Sequence, residues 1–216
     1  MGKLPKEPFQ RNKDKRVKVA LYFISFLLLM TGASMTVTEK SMPSSAETAI
    51  FSGGCFWCEE EVFNHLPGVI SVIVGYTGGH TPDPIYKEVS SERTGHKESV
   101  QVTFDPTQIS YNQLLESYWH NIDPFNAFGQ FCDQGDSYKA VIFYANEDQK
   151  QKAEASKKKL ENHLQKPIVT EIQPASHFYP AEGYHQNYAE KNPLRYKFYR
   201  YTCGRDKRLQ EVWGKN

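Results

Sequence analysis

Cys55 and Cys58 stand three residues apart in Gly53-Gly54-Cys55-Phe56-Trp57-Cys58-Glu59-Glu60, directly after the apolar run Ala49-Ile50-Phe51. An apolar run, two glycines, a cysteine and an acidic turn read as a strand, a tight turn and the N-terminus of a helix. The turn glycines tolerate positive φ and allow close approach of another molecule to the backbone. Unpaired N–H groups and the positive end of the helix dipole favour a thiolate at Cys55. A thiolate of that kind is a nucleophile near neutral pH. The competing reading is a buried structural cysteine, because unpaired cysteines are among the most buried residues.

Taken as Cys-x-x-Cys, the pair suits thiol–disulfide exchange of the thioredoxin-like kind. Phe56 and Trp57 argue against it, since two large aromatics cover the sulfur and wall a pocket instead of leaving an open docking face. Zinc needs a second cysteine pair or two well-spaced histidines. Cys132 and Cys203 stand alone, and His96, His120, His163, His177 and His185 show no ligand spacing, so no metal is expected. A small substrate, polar at one atom and apolar beside it, accounts for more of these residues. A thiolate attacks its central atom, an acid protonates the leaving oxygen, and aromatics hold the apolar group. In that scheme Cys55 is the nucleophile, Phe56 and Trp57 the walls, Glu98 the acid, and Tyr76 and Tyr138 hydroxyl donors. Glu98 has a plainer alternative as an exposed carboxylate at a strand end. Tyr138 has one as a core tyrosine with a satisfied hydroxyl.

The elements that must position these residues follow from periodicity. Glu59 to Leu66 has helical spacing, closed by Pro67-Gly68. Val69 to Tyr76 is a β-branched run read as a buried strand, ending in a Gly/Pro loop that presents Tyr76 at its rim. Glu98 to Phe104 alternates as a half-buried strand, and Ser110 caps a helix to about Asn121. Asp123 to Ser137 is a long irregular stretch whose aromatics mark it as functional. Lys139–Ala145 is a strand, 146–165 an outer amphipathic helix, and Ile168–Ile172 another strand. Residues 178–216 mix short helical turns with aromatics. The order β-α-β-β-α-β-α-β gives an α+β fold, a two-layer αβ sandwich with a mixed sheet.

The net charge of +1 is unevenly spread: residues 1–18 carry +5 and residues 41–216 carry −4. A nucleic-acid binder carries the opposite sign on its folded part, so nucleic acid is set aside. Residues 1–37 combine the basic block with the apolar run Val19–Met30 and the small residues Thr31 to Ser34. The segment reads either as a secretory signal peptide or as a short membrane anchor. Either places the catalytic domain, residues 48–216, outside the cytoplasm, in the periplasm if the source is a Gram-negative bacterium. Residues 38–47 are a linker, and nothing demands more than a monomer.

Several short motifs, in this order and spacing, resemble A-type peptide methionine sulfoxide reductases. They are Gly53-Gly54-Cys55-Phe56-Trp57, Gly75-Tyr76-Thr77-Gly78-Gly79, Gly95-His96-Lys97-Glu98, Asp133-Gln134-Gly135-Asp136-Ser137-Tyr138 and Tyr184-His185-Gln186-Asn187-Tyr188. The resemblance runs from about residue 48 to 214. It implies a ferredoxin-like core with added elements, and reduction of the S-epimer of methionine sulfoxide, free or in oxidised proteins. It makes Cys55 the thiol that becomes a sulfenic acid, and Glu98 the acid, assisted by Tyr76 and Tyr138. Phe56 and Trp57 then hold the substrate methyl group, and Asp133 helps bind the substrate backbone. A resolving cysteine closes a disulfide that thioredoxin or a similar dithiol reduces, with no bound cofactor. Many family members carry Gly where this chain has Cys58, and resolve with cysteines in a C-terminal tail. Here Cys203 and Cys58 are both candidates, with Cys203 favoured because closure on Cys58 could strain the aromatic pocket. Cys132 departs from the family pattern and is expected only to line its loop.

Overall fold

The computed structural model describes residues 45–214 of the 216-residue chain. The predicted basic block and apolar run therefore lie outside the described residues.

Strand β1 (Glu47–Ser52) passes through a two-glycine turn into helix α1 (Phe56–Asn64). Gly54 takes φ 88°, and a Cβ on Gly53 would collide with the Glu59 carboxylate, so this turn admits little else. Strand β2 (Val69–Thr77), the single turn α2 (Tyr86–Val89) and strand β3 (Lys97–Phe104) follow. Helix α3 (Tyr111–Trp119) begins at a capping box: Ser110 Oγ accepts the Gln113 N–H while Gln113 Oε1 accepts the Ser110 N–H at 2.9 Å. The stretch read as irregular contains a small hairpin, β4 (Gly129–Gln130) and β5 (Asp133–Gln134), and a 3₁₀ turn at Asp136–Tyr138. Next come β6 (Val141–Tyr144), α4 (Glu147–Leu164), β7 (Glu171–Pro174) and β8 (Tyr179–Pro180). Three helices close the chain: α5 (Tyr188–Lys191), α6 (Pro193–Thr202) and α7 (Arg205–Trp213).

The sheet order is β7-β6-β1-β3-β2-β8, antiparallel except for the β6–β7 pair. Its inner four strands, β6-β1-β3-β2, with crossovers through α1 and α3, form the ferredoxin-like core. Alternation decides what that core contains. Ala49 and Phe51, then Val72, Val74 and Tyr76, then Val100, Val102 and Phe104 occupy the buried phase of β1, β2 and β3, and pack with Phe63, Leu114, Leu115 and Tyr118. The Phe51 ring stacks against Phe63 and Tyr118 at centroid distances of 5.2 and 5.1 Å. Burying each such side chain contributes about 1.5–3 kcal/mol.

Three boundaries differ from expectation. Helix α1 starts at Phe56, three residues early, which makes Cys55 its N-cap residue. The last parallel strand starts at Glu171 instead of Ile168, because the Val169 N–H bonds the Pro124 carbonyl and not the sheet. The C-terminal region holds two real helices, of ten and nine residues, broken at Gly204 with φ 69°. A second, smaller cluster forms there from Cys55, Cys58, Ala189 and Tyr196, with Trp57, Tyr188 and Tyr199 against it.

Candidate active site

Cys55 and Cys58 occupy the N-terminal turn of α1, with 5% and 0% of their surface exposed, and both are unbonded. Their thiols hydrogen-bond to each other; the Tyr199 hydroxyl reaches Cys55, and the Tyr196 hydroxyl reaches Cys58. Burial pushes the Cys55 thiol up, and its hydrogen bond to Cys58 pushes it further. That same bond pulls Cys58 down against its own burial, aided by the positive charges of Arg205 and Arg200. The two sulfurs thus titrate as one unit whose negative charge leans toward Cys58. The expected thiolate at Cys55 is corrected on this point. The first free amide of the helix, Phe56 N–H, donates to Glu98 Oε2 at 3.1 Å and not to a sulfur.

Glu98 is 4% exposed, so it is not an exposed strand-end carboxylate. It lies in register with Tyr76 across β2 and β3 and shares the phase of Val100 and Val102, which turns it into the protein. Burial raises it to about 8, against the Phe56 hydrogen bond, with the Asp133 and Cys58 charges adding to the rise. A carboxyl group held neutral at pH 7 is a proton donor. Tyr138 and Tyr86 lie beside it with their hydroxyls in contact, and burial followed by the Glu98 charge raises both. Tyr76 is fully buried within β2 and not at a loop rim. Its hydroxyl donates to Glu182 Oε2 at 2.8 Å, while Glu182 Oε1 accepts the Tyr86 N–H at 2.9 Å.

The aromatic pair divides its work. The Phe56 ring is buried 6.0 Å from Tyr76 and 5.0 Å from His185. Trp57 stacks on Tyr188 at 3.7 Å and meets Tyr199 edge-on at 6.0 Å, while its Nε1–H donates to His185 Nδ1 at 3.2 Å. Tyr188 is itself fixed through the backbone: Glu60 accepts the N–H groups of Asn187 and Tyr188 at 2.7 and 3.2 Å. Asp133 accepts the Tyr199 hydroxyl. Cys203 is bonded to Cys132, with 4.9 Å between Cα atoms, and not to Cys55. Cys132 is therefore more than a loop-lining residue.

The structure thus gathers Cys55, Phe56, Trp57, Cys58, Glu98, Asp133 and Tyr138 around the N-terminal turn of α1. Tyr76 stands behind it, and Cys203 is engaged elsewhere. Sequence reasoning passed over Glu182, Tyr86, Tyr196, Tyr199 and Arg205. It noted Tyr188 only within a motif, and His185 there and among the histidines without ligand spacing.

The sequence model of the family described as peptide methionine sulfoxide reductase matches residues 47–216. The peptide methionine sulfoxide reductase MsrA of Bacillus velezensis is 53% identical over 174 residues, 80% of this chain and 98% of that protein. The chain belongs to the peptide methionine sulfoxide reductase family. Solved structures agree with this. Methionine sulfoxide reductase A of Corynebacterium diphtheriae superposes with a TM-score of 0.63 at 34% identity, over 70% of this chain and 77% of that one. The reduced form of Mxr1 from Saccharomyces cerevisiae gives 0.67 at 28% identity, over 72% and 90%. The reductase is an enzyme that uses thiols to return methionine sulfoxide to methionine. With the family and its activity shown, the reading as a thioredoxin-like exchanger falls away.

Proposed function

We propose that Cys55 attacks the sulfur of S-methionine sulfoxide, free or within an oxidised protein, and that Cys58 resolves the product. The observation that carries this reading is the contact between the two buried thiols, with Glu98 poised on the Phe56 amide beside them. Cys58, as the anionic member of the pair, takes the Cys55 proton while the Cys55 sulfur bonds the sulfoxide sulfur. Glu98 gives its proton to the sulfoxide oxygen. The hydroxyl then passes from the sulfoxide sulfur to the Cys55 sulfur as the bond between the two sulfurs breaks, so methionine leaves and Cys55 carries the hydroxyl as a sulfenic acid. Cys58 then attacks that sulfur. Hydroxide leaves with the proton that Cys58 held, forming water, and a Cys55–Cys58 disulfide remains. A dithiol donor of the thioredoxin class returns both to thiols with two electrons and two protons.

Phe56 and Trp57 hold the methyl group, Tyr138 and Tyr86 support the oxygen, and Asp133 and Tyr199 hold the substrate backbone. Tyr76 keeps its assisting role through Glu182, which anchors Tyr86. The preference for the S-epimer rests on the family resemblance. An extracytoplasmic site of action rests on the basic and apolar residues of segment 1–37.

Turnover with dithiothreitol on separated epimers tests the reaction: release of methionine from the S-epimer alone is expected, and turnover of the R-epimer alone would reverse the assignment. Mass mapping after one turnover without reductant tests the resolver. A Cys55–Cys58 disulfide is expected; a Cys55–Cys203 disulfide would transfer the role to Cys203.

A further inference from the structure

The β4–β5 hairpin and the corner between α6 and α7 meet residue by residue. The hairpin tip is Phe131-Cys132, and Phe131 holds φ at 56°, a left-handed conformation rare for a bulky residue. The corner is Cys203-Gly204-Arg205. Cys132 is bonded to Cys203 across 71 residues, and the Arg205 guanidinium sits 4.4 Å from the centre of the Phe131 ring. Next in line, Asp133 accepts the hydroxyl of Tyr199, which lies one helical turn before Cys203; the Cys203 N–H donates to the Tyr199 carbonyl at 2.9 Å. The Tyr199 hydroxyl also faces the Cys55 thiol. The disulfide thus joins the two chain segments that carry Asp133 and Tyr199 to the nucleophile. A hairpin with two residues per strand is held from outside: buried Gln130 ties its base to the Asp123 backbone at 2.8 and 2.9 Å, and the disulfide and the Arg205 contact tie its tip, next to Asp133. Cys132 is exposed, within reach of thiols in solution.

We propose that the Cys132–Cys203 disulfide is a clasp on the substrate pocket that external thiols open and oxidants close. Closed, it holds Asp133 and Tyr199 beside Cys55. Opened, the hairpin tip parts from α6 and the grip on the sulfoxide weakens. Opening consumes a dithiol: its two electrons and two protons break the S–S bond and leave two thiols, while the donor becomes a disulfide. The clasp sets affinity and stores no electrons for the reaction. This inference rests on the reading of Cys55 as the nucleophile.

The test is a single turnover on S-methionine sulfoxide without reductant, at varied substrate concentration. Three proteins are compared: wild type with the clasp closed, wild type with all four thiols reduced, and Cys132→Ser/Cys203→Ser. Alkylation and mass measurement confirm each starting state. All three are expected to release one methionine per chain at similar maximal rates. The open forms need roughly tenfold more substrate for half-saturation. Reoxidation of Cys132 and Cys203 in the wild type restores the original value. Equal half-saturation in closed and open wild type would overturn the clasp. Release of two methionines from fully reduced wild type would do so as well, by making the pair an electron store. The wild-type arms carry no substitution, so a variant that folds poorly does not shield the proposal. No methionine in any arm would instead remove the nucleophile reading.

Discussion

Cys55 and Cys58 lie within one turn of a single helix, buried and unbonded, whereas Cys132 and Cys203 lie 71 residues apart, bonded, at the surface. The two pairs occupy opposite electrostatic and geometric settings. The inner pair is surrounded by groups that decide where a proton sits: Glu98, Tyr196, Tyr199 and the charge of Arg205. The outer pair is surrounded by groups that decide where backbone sits: the hairpin tip, the Arg205 contact with Phe131, and the break at Gly204. Sulfur chemistry at the inner pair needs exclusion of water and control of charge. At the outer pair a bond between distant segments pins the hairpin tip, whose residues 131–134 are half-buried or exposed. Arg205 serves both, through charge on one side and ring contact on the other.

Substitutions sharpen this division, and the largest effect belongs to the nucleophile. Cys55→Ser should drop methionine release to background, while Cys132→Ser keeps a burst of one methionine per chain; loss of the burst in both would erase the distinction. Glu98→Gln should slow the chemical step by about 10²- to 10⁴-fold, the usual contribution of a positioned acid. With Glu98 at about 8, the wild-type rate should fall as pH rises through 8, and the variant should lose that limb. A wild-type rate that is flat from pH 7 to 9 would remove Glu98 as the acid. Tyr199→Phe deletes the hydroxyl that touches both Cys55 and Asp133 and should raise the substrate needed for half-saturation by roughly tenfold. If the double serine variant at 132 and 203 adds nothing further, the clasp acts through Tyr199.

The smallest effect is on stability. Glu59 is fully buried beside Cys58, and burial raises it from 4.5 to about 8, with the Arg205 charge working against the rise. Below pH 4.5 both folded and unfolded chains hold its proton. Between 4.5 and 8 only the folded chain does, so stability falls as pH rises through that window. Glu59→Gln should flatten this fall by up to ~1.4 kcal/mol per pH unit crossed, read by denaturant unfolding.

The parts written in consecutive residues were legible. Ala49 through Glu61 encodes strand, turn and helix, and the placing of Cys55 with its aromatic neighbours at the helix start follows from that run. The ferredoxin-like order of the core followed from periodicity and the resemblance together. Glu98 was readable but weighed wrongly: it sits in phase with Val100, Val102 and Phe104, and that phase is the buried one. Tyr76 likewise shares the phase of Val72 and Val74, so its ring was bound for the core and not a loop rim. Glu182, Tyr196, Tyr199 and Arg205 had no local signal. Each matters through partners about 65 to 150 residues away, as in Tyr199–Asp133, Tyr76–Glu182 and Gly53–Arg205, and such pairings are set by tertiary packing. The Cys132–Cys203 bond belongs to the same class, since spacing alone marks neither residue as half of a pair.

The grip of Glu60 on Asn187 and Tyr188 reaches 127 and 128 residues along the chain. On a ribosome, the Gly53–Glu61 turn emerges long before the residues that wall it. Trp57 has no Tyr188 to stack on, Glu60 has no amides to accept, and Cys55 has no Tyr199 hydroxyl facing it until residues 187–199 arrive. A nascent chain therefore carries Cys55, the proposed nucleophile, before the residues that surround it in the fold. The surroundings of Cys55 and Cys58 are completed late in synthesis, and chains that stop before α6 lack Tyr196 and Tyr199.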